Sequence, residues 1–115
     1  MRPRDPVVYL RDILDACNAI VVHVGDMRFG EYVEDRKTRS AVEREFTVIG
    51  EALARLIERA PESGERLPDA ARIIGFRNVI VHGYAELDDR TVWDNIRQNL
   101  PALRREVEML LASSD

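Results

Sequence analysis

Apolar residues recur every three or four positions along most of this chain, and no segment alternates over strand length. That spacing places apolar side chains on one face of an α-helix. It predicts a first helix over about residues 6–25, with an apolar seam of Leu10, Leu14, Cys17, Val21 and Val24. It also predicts a second helix over residues 35–59, with a seam of Val42, Phe46, Ile49, Leu53 and Leu56.

Two further helices follow from the same spacing. The third enters at Pro68 and Asp69, ends at Gly83, and carries Ile73, Ile74, Phe76 and Ile80. The fourth has Asp88 as its N-cap and presents Val92, Ile96, Leu100, Leu103, Val107 and Leu110 on one side. Pro101 lies inside this helix and predicts a kink, because proline lacks a backbone donor. Residues 25–38, with Gly30 as breaker, and 61–66 are predicted to be connections.

These patterns predict an all-α fold in which four helices pack as an antiparallel, up-and-down four-helix bundle. A length of 115 residues predicts one domain over residues 1–115. Gly50 and Gly75 lie inside the second and third helices, where each glycine costs about 1 kcal/mol relative to alanine. Their presence predicts that these two helices cross closely and use the missing side chains to bring their backbones together.

Composition excludes several classes of protein. The net charge of −4 argues against binding nucleic acid by charge alone, although it leaves room for a local basic cleft. The apolar run at residues 19–22 stops at His23 and is too short to span a membrane. The N-terminus lacks the apolar core of a signal peptide. Cys17 is the only cysteine, so no internal disulfide or cysteine-based zinc site is expected, and a cytoplasmic location is predicted.

The densest group of chemically active side chains is Arg77, Asn78, His82 and Tyr84, which lie within eight residues. Cleavage of RNA requires that a 2′-hydroxyl lose a proton, that the leaving 5′-oxygen gain one, and that charge on the phosphate be stabilised. Histidine can serve the proton steps, arginine offers a fork of donors to phosphate oxygens, and asparagine can orient either partner. No metal or other cofactor is required. One histidine cannot easily be both acid and base, which points to two copies meeting in a symmetric dimer.

Helical geometry leaves alternatives open for these residues. Asn78 and His82 share a face, whereas Arg77 and His82 diverge by about 140° on an ideal helix. They converge only if the arginine swings round or the helix end distorts. Arg77 could instead pair with a glutamate such as Glu51, His82 could cap its helix, and Tyr84 could be a packing aromatic. His23, at the end of the first helix, is interpreted as structural.

The segment from Arg77 to Tyr84 resembles the R-x4-H-x-Y motif of the HepT-like toxins, a branch of the HEPN superfamily. Two segments of the second helix, residues 41–44 and 49–52, resemble the family's pattern for that helix. Val92 and Trp93 resemble the start of its fourth helix. Together these features cover the chain from about residue 7 to residue 111.

The resemblance implies a dimerising helical bundle in which Arg77 and His82 of both subunits line one cleft. It implies a metal-independent endoribonuclease that is the toxin of a type VII toxin–antitoxin pair. The implied partner is an MntA-like minimal nucleotidyltransferase, which neutralises the toxin by transferring AMP from ATP to the motif tyrosine, here Tyr84. An alternative is a catalytically weak helical protein that is mainly bound and modified by such a partner. A third interpretation is a purely structural or oligomerisation module.

Overall fold

The computed structural model describes residues 5–83 and 87–113, and within these two ranges the chain is helical with no strand. The predicted all-α class is therefore confirmed. The helices are α1 (Pro6–Val24), α2 (Phe29–Glu34), α3 (Arg36–Arg59), α4 (Pro61–Glu65), α5 (Ala70–His82), α6 (Asp89–Asp94) and α7 (Leu100–Ser113). A π-helical turn, Asn95–Asn99, joins α6 to α7.

Helix α3 is the centre of the packing, since it contacts both α1 and α5, while α1 also contacts α7. The predicted seam of α3 is confirmed, because all five of its apolar side chains are fully buried. The predicted seam of the fourth helix is likewise buried throughout. At about 25 cal/mol per Å² of apolar surface, such residues supply most of the favourable free energy of folding.

The predicted seam of α1 is partly wrong. Val21 is 45% exposed, whereas Ile13 and Ile20 are fully buried. The buried positions advance by three, four, three and four residues from Leu10, where the prediction began with a step of four. Both series fit a helical period of 3.6, so the contact with α3, and not periodicity, selects between them.

Two segments predicted as connections are short helices. Residues 25–38 contain α2, which includes Gly30, the residue expected to break helical structure. The backbone N–H of Arg28 donates to Glu31 Oε1 at 2.9 Å, which satisfies a free donor at the helix start. Tyr32 is fully buried and packs on Trp93 with ring centroids 5.3 Å apart. Residues 61–66 contain α4, which begins at Pro61, a residue suited to a first helical turn.

The irregularity expected near Pro101 occurs as the π turn immediately before it. Proline has no N–H, and its ring clashes with the carbonyl four residues earlier in an ideal α-helix. The widened turn directs the Leu100 N–H to the Asn95 carbonyl, five residues back. Asn95 and Asn99 support this turn, since Asn99 Nδ2 donates to Asn95 Oδ1 at 2.8 Å and Asn95 Nδ2 donates to the Thr91 carbonyl at 2.9 Å.

Among the helices of the two described ranges, none combines the length and the apolar character needed to cross a bilayer.

Candidate active site

The C-terminal half of α5 carries three of the four predicted site residues. Gly83 follows the helix with φ 60° and ψ 35°, a left-handed conformation, and its N–H donates to the Val79 carbonyl at 2.9 Å. The predicted helix stop at Gly83 is therefore confirmed. His82 lies in the last turn and is exposed, as is Asn78 one turn earlier.

The guanidinium of Arg77 is held on two sides. Its Nη2 lies 2.7 Å from Glu51 Oε1 on α3, and its Nη1 donates to Asn78 Oδ1 at 2.9 Å. The alternative in which Arg77 pairs with Glu51 thus describes the observed contact. The arginine side chain is 22% exposed and Glu51 is 62% exposed, so solvent still reaches the pair. Arg77 is fixed in direction while part of its donor fork remains accessible.

Helix crossing explains why Arg77 reaches Glu51. A Cβ added at Gly50 would overlap Arg77 Cβ and would lie 2.6 Å from Arg77 Cγ. The stem of Arg77 therefore occupies the space that a side chain at position 50 would fill. The predicted close crossing is confirmed at Gly50 and wrong at Gly75, where an added Cβ would meet nothing within 4 Å.

A hollow of about 300 Å³, which we call the α3–α5 hollow, opens beside this ion pair. Its polar lining is Glu51, Arg55, Glu58, Arg77 and Asn78. Arg77 and Asn78 are thus brought together, whereas His82 is outside the lining, about 7.5 Å further along the helix axis by the rise per residue. Tyr84 lies outside the described residues.

Arg55 is a lining residue that the sequence prediction missed. It lies four residues after Glu51, so both share one face of α3, and this spacing is the signal that could have indicated it. Within residues 5–83 and 87–113, no three His, Cys, Asp or Glu side chains are grouped to hold a metal ion. The hollow combines guanidinium and amide donors with the carboxylates of Glu51 and Glu58, so it suits an anion that also carries hydrogen-bond donors.

Comparisons with known proteins identify a family of ribonucleases to which the chain is similar. The sequence pattern of the family described as "Ribonuclease HepT-like" matches residues 13–110. "Putative RNase MJ1380" of Methanocaldococcus jannaschii is 30% identical over 112 residues, which cover 96% of this chain and all of the relative. "Probable ribonuclease HepT" of Thermococcus cleftensis is 29% identical over 104 residues, which cover 89% of this chain and 92% of the relative. No solved structure matches the chain.

The chain belongs to the HepT-like ribonuclease family. The resemblance inferred from the segment around Arg77 and His82 is confirmed by this membership, and so is the predicted enzyme class, a ribonuclease.

Proposed function

We propose that this chain is the toxin of a type VII toxin–antitoxin pair and cleaves RNA internally without a metal ion. The observation that carries the proposal is the anchoring of Arg77. Its guanidinium is held by Glu51 and Asn78 at the edge of a solvent-open hollow, on the same helix as the exposed His82. A positioned cation and a histidine that can transfer protons are what phosphodiester cleavage requires.

The reaction assigns one task to each residue. A 2′-hydroxyl attacks the adjacent phosphorus, the bond from phosphorus to the 5′-oxygen breaks, and a 2′,3′-cyclic phosphate and a 5′-hydroxyl form. His82 of one subunit accepts the proton from the 2′-hydroxyl, and His82 of a second copy donates a proton to the 5′-oxygen. Arg77 stabilises the charge on the phosphate oxygens, and Asn78 keeps the guanidinium in place.

A homodimer completes this proposal, with the site in a cleft between two copies. Each copy supplies one His82 to this cleft. The four long helical segments of one copy fit an antiparallel four-helix bundle, and residues 1–115 are proposed to form one domain. We place the protein in the cytoplasm.

Tyr84 is proposed as the residue at which the toxin is switched off. It follows His82 by two positions, so an AMP group on its phenol would bring a phosphate and an adenosine close to the catalytic histidine. The partner that supplies this group is an MntA-like minimal nucleotidyltransferase using ATP. The phenol oxygen attacks the α-phosphorus of ATP, pyrophosphate leaves, and the phenol proton passes to solvent.

The test of the nuclease is cleavage of RNA in the presence of a chelator by the wild type, His82→Ala and Arg77→Ala. Both variants are expected to lose activity, whereas Arg105→Ala, an exposed position on α7, retains it. Equal cleavage by all four proteins would show that the activity is a contaminant.

A second candidate is a binding protein with little nuclease activity that is mainly complexed and modified by its partner. The ion pair between Arg77 and Glu51 favours it, because the carboxylate already occupies part of the donor fork. Mass spectrometry after incubation with the partner and ATP measures AMP transfer. Modification of the wild type together with undetectable cleavage of RNA by the unmodified protein would favour this candidate. Undiminished modification of Tyr84→Phe would contradict the assignment of the tyrosine.

A further inference from the structure

A second hollow adjoins the candidate site. It has a volume of about 310 Å³ and opens between α1 and α3, and we call it the α1–α3 hollow. Its polar lining is Tyr9, Asp12, Arg44, Thr47, Glu51 and Arg55. Each hollow is at the small end of the range that ligand sites occupy, so each suits a small unit of a longer ligand.

One stripe of α3 connects the two hollows. Arg44, Glu51 and Arg55 are separated by seven and four residues, which places them within about 40° of one another around an ideal helix. Glu51 and Arg55 line both hollows, so together they form the ridge between them. A ligand that extends from Arg77 over this ridge would reach Arg44 next. An RNA strand is such a ligand, because it repeats a phosphate at every nucleotide.

The arginines of this stripe can bind an anion without losing a strong ion pair. Arg44 is exposed and forms no ion pair with a residue of the described ranges. Arg55 approaches Glu58 only at 3.8 Å, and both side chains are 65% exposed. An exposed pair of that kind contributes little to stability, so a phosphate can displace the carboxylate.

The rest of the lining fits a nucleotide better than a free phosphate. Glu51 accepts from Arg77 through Oε1, and its second oxygen would repel an isolated anion but accept a hydrogen bond from a ribose hydroxyl or a base amino group. The Thr47 hydroxyl donates to the Glu43 carbonyl at 3.0 Å, which leaves its oxygen as a further acceptor. Donors to phosphate and acceptors for sugar and base thus occur together.

We propose that the α1–α3 hollow binds the nucleotide next to the cleaved phosphodiester, and that Arg44 and Arg55 hold its phosphate. The inference rests on the proposed ribonuclease function and extends it with a substrate subsite. Arg44 and Arg55 contact substrate away from the reacting atoms, so they govern affinity for RNA and not the chemical step. Each phosphate contact also adds about 0.7 to the slope of log affinity against log salt for a single strand.

Binding is tested first, in a His82→Ala background that leaves the RNA intact. Fluorescence anisotropy with a single-stranded RNA of about 12 nucleotides is measured over a series of salt concentrations. Adding Arg44→Gln and Arg55→Gln is expected to weaken binding about tenfold or more and, because one phosphate contact is lost, to reduce the salt slope by about 0.7. Lysine at both positions should restore much of the affinity.

A matched control separates the subsite from net charge. Arg66→Gln with Arg105→Gln removes the same charge from two exposed positions that line neither hollow. The control pair should leave binding nearly unchanged. Equal weakening by both pairs, or no weakening by Arg44→Gln with Arg55→Gln, overturns the proposal. Because this assay detects binding alone, it gives an answer even if the wild type proves to cleave no RNA.

Steady-state kinetics then test whether the subsite is separate from the cleaved bond. With His82 present, Arg44→Gln should raise KM for the longer RNA severalfold and leave kcat unchanged, because Arg44 lines only the α1–α3 hollow. A dinucleotide has no phosphate other than the one that is cleaved, so it offers Arg44 nothing to bind and should be cleaved by Arg44→Gln as well as by the wild type. An equal loss on both substrates would place Arg44 outside a distinct subsite and would overturn the assignment.

Discussion

Helices α1 and α5 end in closely similar ways. Each carries a histidine in its last turn, His23 or His82, and both histidines are exposed. Each is followed by a glycine with positive φ, at 53° for Gly25 and 60° for Gly83. In the position of the histidine, its exposure and the positive φ of the following glycine, the two ends are therefore nearly equivalent.

The surroundings of the two ends differ. Arg77 lies five residues before His82 and is held by Glu51 of the crossing helix α3. Val21 and Val22 lie immediately before His23. They are 45% and 78% exposed and carry no polar side-chain group. A histidine in the last turn of a helix is therefore not by itself evidence of a catalytic site. His82 is a candidate catalytic group because a second helix fixes a cation that lies on the same helix as His82.

The largest expected difference between the two ends is in catalysis. His82→Ala should lower the rate of RNA cleavage by about 10²–10⁴-fold, because it removes the group assigned to both proton transfers. His23→Ala should leave the rate within about twofold, since His23 lies on α1, outside the segment from Arg77 to Tyr84. Rates measured under single-turnover conditions with a chelator check this pair. A comparable loss from both substitutions would show that the two ends are functionally equivalent.

The crossing beneath the α5 site can be probed through its two glycines. Gly50→Ala should lower the free energy of unfolding by about 1–3 kcal/mol, because the added Cβ overlaps the stem of Arg77. It should also impair cleavage by displacing the guanidinium. Gly75→Ala adds a methyl group in open space, so it should be neutral or raise stability by up to about 1 kcal/mol. Urea denaturation of both variants measures these changes, and a stable, active Gly50→Ala protein would contradict the role of the crossing.

The two helix ends also differ in the backbone conformation of the glycine that follows each helix. Gly83 is in the left-handed helical region, which asparagine tolerates, so Gly83→Asn should cost less than about 1 kcal/mol. Gly25 has φ 53° and ψ −127°, a mirror image of extended backbone that is essentially restricted to glycine. Gly25→Asn should therefore cost about 1–3 kcal/mol. Thermal unfolding compares the two variants, and equal costs would show that both ends relax to the same backbone conformation.

The smallest expected effect concerns the interior of α1. Burial raises the pKa of the Cys17 thiol to about 12, with a smaller opposing contribution from Arg104. Because an unfolded cysteine ionises near pH 8.5, stability should fall as the pH rises above about 8.5 and towards 12. Cys17→Ala should flatten that part of the stability profile without changing cleavage of RNA. Thiol labelling of the native protein at neutral pH should proceed no faster than unfolding, and rapid labelling would contradict the buried position.

Periodicity predicted the long helices closely, with α3 from Arg36 to Arg59 against an expected 35–59. It failed for α2 and α4, because such short helices depend on reciprocal capping and on packing such as that of Tyr32 against Trp93. It also failed to choose the buried face of α1. A period of 3.6 permits neighbouring apolar stripes, and only the partner helix selects one.

The candidate site was likewise predicted only in part from the sequence. The segment from Arg77 to Tyr84 supplied the residue types and the family, and the comparisons confirmed the family. The sequence analysis named Glu51 as one possible partner of Arg77, but spacing could not select it, since Glu51 lies 26 residues away in the chain. Nor could spacing distinguish Gly50 from Gly75, because both are helical glycines and only one faces a crossing helix.

The sequence by itself determined that this protein is helical, where its long helices lie, and which helix end gathers an arginine, an asparagine and a histidine. These properties follow from interactions over a few residues, which a linear pattern records. Only the tertiary structure decided that Arg77 lies over Gly50, that Glu51 fixes its direction, and that two hollows adjoin along one stripe of α3. Such features depend on how two helices cross, and the crossing is set by packing between residues far apart in the chain.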